Sequence, residues 1–183
     1  MWIGSPLRGA FRLASYLLLT LLLLPVHMLA LTLGLRSVVN RLPVLYHRMV
    51  CVILGIRVRV HGKRSDVTPT LFTCNHVSYL DIEVLGSLVP GSFVAKAEVA
   101  TWPLIKTLAK AQHTIFIERT SSKTSASRDE MMKRLNTGDN LMLFPEGTSS
   151  DGTRVLPFRS ALFGVAQLRR DGKPIVVQPV AIS

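Results

Sequence analysis

Thr70-Leu-Phe-Thr-Cys-Asn-His-Val-Ser-Tyr-Leu-Asp81 changes character halfway along its length. Thr70 to Cys74 is a short, β-rich apolar run, and after Asn75-His76 the spacing from Tyr79 to Leu88 predicts a helix that Pro90-Gly91 stops. A buried strand that breaks straight into a helix is the unit of an α/β layer fold. The pattern recurs downstream. Apolar runs at Ser92–Ala95, Thr114–Ile117, Leu141–Phe144 and Ile175–Val180 read as strands. Trp102–Lys110, Ser125–Asn136 and Ser160–Arg170 fill the gaps as helices, the last two ending at Gly138 and Gly172. Upstream, Ile56, Val58 and Val60 alternate with Arg57, Arg59 and His61, which predicts one more half-exposed strand. The expected fold is α/β, a mixed sheet flanked by helices.

The segment before this body is of another kind. Leu13 to Leu35 carries no charged residue, and its 23 residues reach roughly 34 Å as a helix, enough for a hydrocarbon core of about 30 Å. The run is longer than the apolar part of a signal peptide and no small-x-small cleavage site follows it, so a retained membrane helix is expected. Pro25 and His27 near its middle make a kink or a re-entrant hairpin the alternative to a straight span. Val44 to Ile56 is apolar but interrupted by His47 and Arg48, and reads as an interfacial helix, with an ordinary core-packing helix as the alternative. Residues 1–55 are therefore expected to form an anchor and 56–183 a body.

The charge follows the same division. The chain of 183 residues holds 22 Lys and Arg against 11 Asp and Glu, a formal charge of +11, with 48% hydrophobic residues. Every residue of charge before Asp66 is basic, from Arg8 and Arg12 to Lys63 and Arg64, whereas the remainder is nearly neutral. Cations that flank apolar sequence suit anionic lipid headgroups better than a nucleic-acid backbone. A disordered basic tail is excluded by the apolar content, and no repeat supports a solenoid. Arg36, Arg41 and Arg48 after the apolar run favour a cytoplasmic body by a small margin. Cys51 and Cys74 are too few for a disulfide framework and sit in no zinc-ligand spacing. The chain stops at Ser183, straight after a strand-like run, an ending expected of a shortened chain.

Three short patterns carry chemistry. In Asn75–Asp81, His76 and Asp81 are too far round a regular helix to meet unless His76 lies in the turn before it. There, a carboxylate on one ring nitrogen would leave the other free to take a proton. The same residues admit a structural role, since Ser78-x-x-Asp81 matches a helix capping box. Cys74 offers a thiol nucleophile or a buried strand cysteine. Phe144–Gly152 (FPEGTSSDG) forms a tight turn in which Glu146 either accepts hydrogen bonds from a hydroxyl-bearing substrate or lies solvated. Phe116–Arg119 ends a strand on an arginine suited to phosphate, and Lys96 is a further candidate cation. No GxSxG elbow, Walker loop or HExxH helix occurs.

In this order the patterns resemble the glycerolipid acyltransferase family of the 1-acylglycerol-3-phosphate type. Asn75, His76, Ser78 and Asp81 match its Asn-His-x-Ser-x-x-Asp motif, Phe116, Ile117 and Arg119 its Phe-Ile-x-Arg motif, and Phe144 to Thr148 its Phe-Pro-Glu-Gly-Thr motif. Pro174–Val180 matches a weaker fourth block. The resemblance implies a transferase, at a bacterial inner membrane with its body on the cytoplasmic side. It would move an acyl chain from acyl-CoA or acyl carrier protein to the hydroxyl of a lysophospholipid, with no cofactor and no metal. It implies His76 as general base and Asp81 as its orienting partner. Asn75, Ser78, Lys96, Arg119, Glu146, Gly147 and Thr148 would contact substrate. The partners implied are the lysolipid, the thioester donor and the bilayer, and not nucleic acid. Ser149 departs from the arginine that many members carry after the threonine, which brings a lyso-ornithine-lipid acceptor beside 1-acylglycerol-3-phosphate as the alternative. A non-catalytic membrane-binding module of the same fold is the reading from another class.

Overall fold

A computed structural model describes residues 5–101, 103–117, 124–159, 169–170 and 173–183. Its contacts group the chain into two units, one containing the sequence up to His61 together with Ile82–Pro90, the other Gly62–Asp81 with Gly91–Ser183.

In the first unit, α1 (Pro6–Thr32) and α2 (Arg36–Leu54) fold back on each other as an antiparallel hairpin. Pro6 suits the first turn of α1, where its missing N–H has no intrahelical acceptor anyway, and Pro25 sits inside the helix without ending it. The Tyr46 hydroxyl lies 3.0 Å from Thr20 Oγ1, and the Tyr16 and Tyr46 rings are 6.5 Å apart, so a small polar seam joins two apolar helices. Leu7, Phe11, Leu21, Leu22 and Val26 face outward. Both helices are long and apolar enough to cross a membrane, at about 40 Å and 28 Å of rise. α2 thus begins eight residues before the interfacial helix expected from Val44, because Pro43 costs one backbone donor and leaves the rest of the helix intact.

The same unit contains most of α3 (Leu80–Gly86). His47 of α2, 3% exposed, has Nδ1 2.6 Å from Glu83 Oε2, and Arg48 Nε donates to the Ser87 carbonyl at 2.9 Å. The His47 ring lies flush against the backbone at Gly86, where a Cβ would stand 2.5 Å from its Cδ2, so only glycine permits the approach.

In the second unit, β1 (Thr70–Cys74), β2 (Ser92–Lys96), β3 (Ile115–Ile117) and β4 (Leu141–Leu143) occur with α4 (Pro103–Ala111) and α5 (Thr124–Asn136) between strands. β5 (Arg169–Arg170) and β6 (Lys173–Pro174) pair antiparallel by themselves, and β7 (Val176–Val180) completes a five-stranded sheet of order β3-β2-β4-β1-β7. Pairing within that sheet is parallel throughout, and the antiparallel element is confined to the small β5–β6 ladder. Parallel strands buried on both faces need continuous apolar runs, as TLFTC and LML are. Leu71, Val94, Ile115, Leu141 and Leu143 pack with Met131 and Leu135 of α5 into one core, each such side chain stabilising by about 1.5–3 kcal/mol. Ile56–His61 forms no strand. Most of the helix expected over Ser160–Arg170 lies outside the described residues, and Arg169–Arg170 belong to β5.

Asn140 aligns the sheet. Its Oδ1 accepts from the Thr70 N–H at 2.9 Å and its backbone carbonyl from the Ser92 N–H at 2.9 Å, so the residue before β4 sets where β1 and β2 begin. Asn140→Ala leaves the buried Thr70 donor unsatisfied, and the expected loss is about 1–3 kcal/mol, read from the urea midpoint of the detergent-solubilised chain. An unchanged midpoint would remove Asn140 from this role.

Candidate active site

The parallel register sets Thr73 beside Leu143, so Asn75-His76 and Pro145-Glu146 leave adjacent strands at the same, carboxyl-terminal edge. In open parallel sheets that edge is where ligands bind. β1 ends at Cys74 and α3 begins at Leu80, and His76 lies in the turn between them. Its Nδ1 is 2.9 Å from Asp81 Oδ2. That oxygen also accepts from the Val77 N–H at 2.6 Å and the Ser78 N–H at 2.9 Å. The Ser78 contact is the returning half of a capping box. The other half is absent, because Ser78 Oγ instead accepts from the Leu80 N–H at 3.2 Å while the Asp81 N–H donates to the Ser78 carbonyl. Capping and imidazole orientation thus use the same carboxylate.

Burial, the largest single influence, pushes the Asp81 carboxyl up, but hydrogen bonds from His76 and from the Ser78 and Val77 peptides, with the charge of His76, outweigh it and hold the group below its ordinary value. A carboxylate acceptor on Nδ1 assigns the proton to that nitrogen and leaves the Nε2 lone pair able to accept another. The ring is 14% exposed and stacks on Phe144, centroids 4.2 Å apart and planes 20° apart, with Phe93 continuing the stack at 6.3 Å.

The other expected residues are placed as follows. Asn75 turns its amide to the chain after β7, Nδ2 donating to the Ile182 carbonyl at 2.9 Å and Oδ1 accepting from the Ile182 N–H at 2.8 Å. Glu146 is 3% exposed rather than solvated, with Oε1 accepting from the His76 N–H at 2.7 Å and Oε2 from the Leu156 N–H at 2.8 Å. Gly147 holds φ at +68° to close the turn, its N–H donating to the Phe144 carbonyl, a conformation that suits glycine. Thr148 is exposed at the turn and Lys96 ends β2, half-buried. Arg119 lies outside the described residues; β3 ends two positions before it. Ser150, whose N–H donates to the His76 carbonyl at 2.7 Å, escaped the sequence reading, as did Leu156 and Ile182, because all three act through their backbones.

Cys74 is fully buried, and its thiol is pushed up to about 12 by that burial first and then by the charges of Asp81 and Glu146. A neutral, enclosed thiol does not serve as a nucleophile.

The parallel sheet thus carries at its carboxyl edge an imidazole–carboxylate pair, an arrangement able to accept a proton from a hydroxyl. The acyltransferase family model matches residues 57–183, and the chain belongs to that family. It is 42% identical over 170 residues to a lyso-ornithine lipid O-acyltransferase from Rhizobium meliloti, covering 91% of this chain and 58% of the relative. The corresponding protein of Brucella abortus is 45% identical over 148 residues, 79% of this chain and 55% of that one. A 1-acyl-sn-glycerol-3-phosphate acyltransferase from Neisseria meningitidis is 35% identical over 127 residues, 68% and 49% respectively. The chain therefore spans about half the length of the curated relatives it matches. The crystal structure of the 1-acyl-sn-glycerophosphate acyltransferase from Thermotoga maritima superposes with a TM-score of 0.61 over 91% of this chain and 73% of that one, at 21% identity, a likeness of fold.

Two outcomes follow from this geometry. Cys74→Ala is expected to keep the initial rate of acyl transfer within about threefold, since the thiol is enclosed and neutral; a loss of about a hundredfold would make the thiol a candidate nucleophile again. The depressed Asp81 carboxyl contributes stability that is complete above the unfolded value of about 3.9 and is lost as pH falls through the lower folded value. Asp81→Asn should therefore flatten the acid limb of the stability profile below about pH 4, followed by denaturant midpoints across pH.

Proposed function

We propose that the chain is the acyl-transferring part of a membrane-bound O-acyltransferase that esterifies the free hydroxyl of lyso-ornithine lipid. The donor is a thioester, acyl-CoA or acyl carrier protein. The enzyme works at a bacterial inner membrane, anchored by the α1–α2 hairpin, with its body on the cytoplasmic face. The observation that carries this is the 2.9 Å contact between His76 Nδ1 and Asp81 Oδ2 at the carboxyl edge of β1. The choice of headgroup moves from 1-acylglycerol-3-phosphate, favoured on motifs alone, to lyso-ornithine lipid. It is supported by the names of the relatives above 40% identity and by Ser149 in place of the arginine that many members carry after the threonine.

His76 Nε2 removes the proton of the acceptor hydroxyl as its oxygen attacks the thioester carbonyl. Asp81 stabilises the imidazolium that forms, a role its anchorage by two peptides keeps in register. As the tetrahedral adduct collapses, the carbon–sulfur bond breaks and the imidazolium returns its proton to the leaving thiolate. The new ester departs and the base is regenerated, so no acyl-enzyme is required. Lys96, at the end of β2, and Arg119 of the Phe-Ile-x-Arg motif are the proposed contacts to the anionic part of donor or acceptor, and Thr148 and Gly147 to the acceptor.

The purified chain in mixed micelles, offered lyso-ornithine lipid and lysophosphatidate with each donor, is expected to acylate lyso-ornithine lipid preferentially. His76→Ala should lower kcat/KM by about 10²–10⁴-fold while retaining its circular dichroism. Preference for lysophosphatidate would restore the first headgroup. Absence of product with every pair, with liposome binding intact in His76→Ala, would favour the non-catalytic module.

A further inference from the structure

The motif resemblance puts Glu146 against the acceptor, and its surroundings leave it no such freedom. The carboxylate is 3% exposed, and each oxygen accepts a peptide N–H, Oε1 from His76 at 2.7 Å and Oε2 from Leu156 at 2.8 Å. The same loop reaches His76 from two further directions. The Ser150 N–H donates to the His76 carbonyl at 2.7 Å, and the Phe144 ring supports the imidazole at 4.2 Å. The loop is itself closed by the Arg159 N–H on the Pro145 carbonyl at 3.0 Å.

We infer that Glu146 is a positioning residue that never meets the acceptor: its carboxylate locks the peptide of His76 to the loop running to Leu156 and so sets where the imidazole stands. The inference rests on His76 being the base proposed above. Two opposed donors require an acceptor at both ends, which a carboxylate supplies and an amide does not. In Glu146→Gln the NH₂ must face either the His76 or the Leu156 N–H, so one bond becomes a donor–donor contact. In Glu146→Asp the reach is short by a methylene, and the two donors cannot both be met.

The test separates a residue that aims the base from one that holds the substrate. With lyso-ornithine lipid and acyl-CoA in mixed micelles, Glu146→Gln is expected to lose about 10- to 100-fold in kcat, with KM for the lysolipid within about twofold. Amide hydrogen exchange at His76 and Leu156 should accelerate in the same variant. A raised KM with kcat retained at saturation, or unchanged exchange at both amides, would overturn the inference. Should Glu146→Gln fail to fold, Leu156→Pro deletes one donor and leaves the carboxylate in place; it must lower kcat at constant KM, and an unaltered kcat would likewise overturn it. If the wild-type chain transfers no acyl group, the proposed reaction fails while the exchange measurement still decides whether Glu146 holds the His76 peptide.

Discussion

Oδ2 of Asp81 accepts from an imidazole and from two successive peptides, and the site is built around that one oxygen. Charge-assisted hydrogen bonds of this kind contribute roughly 1.5–3 kcal/mol each, enough together to hold a turn that regular helix geometry would not allow. They bend the chain between the end of β1 and the start of α3 so that residues five apart meet. They also select the ring tautomer, with the proton on Nδ1 and the lone pair on Nε2. Chemistry and local folding are here the same set of contacts, which explains why a carboxylate in a buried position remains ionised.

The sheet supplies what this turn lacks. Because β1 and β4 run parallel and adjacent, a segment some seventy residues downstream emerges beside the histidine and grips its backbone. The register is set inside the core, by Leu71 opposite Leu141, and at its entry by Asn140. A slip of one residue would move the leucines to the opposite face of the sheet, away from Met131 and Leu135, and carry the Phe144 platform away from the imidazole. Precision at the edge is therefore inherited from packing below it.

What could be read from the sequence follows the range of the interactions. β1 has the expected bounds, Thr70–Cys74, and α4 and α5 differ from expectation by a residue, because apolar runs and helix stops are local signals. The His76–Asp81 pairing was legible for the same reason, both partners lying in one turn. Ile56, Val58 and Val60 satisfied the period of a strand, but a strand also needs a neighbour to pair with, and the five-stranded sheet ends at β7 and β3 without them. The engagements of Asn75 and Glu146 were invisible. Their partners are peptide groups of Ile182, His76 and Leu156, and a peptide group leaves no mark in residue type.

The His47–Glu83 contact bears on how this chain can be dissected. A cut after residue 55 looks natural in the sequence, where apolar hairpin gives way to a nearly neutral body. The contacts divide it differently, for α2 holds Glu83 through His47 and the end of α3 through Arg48 on Ser87. Excising the hairpin to obtain a water-soluble fragment would strip Glu83 of its imidazole and uncover the glycine face on which that ring lies. Any soluble version would need those positions redesigned along with the cut, since the two apolar helices and residues 82–90 form one module that is discontinuous in the chain.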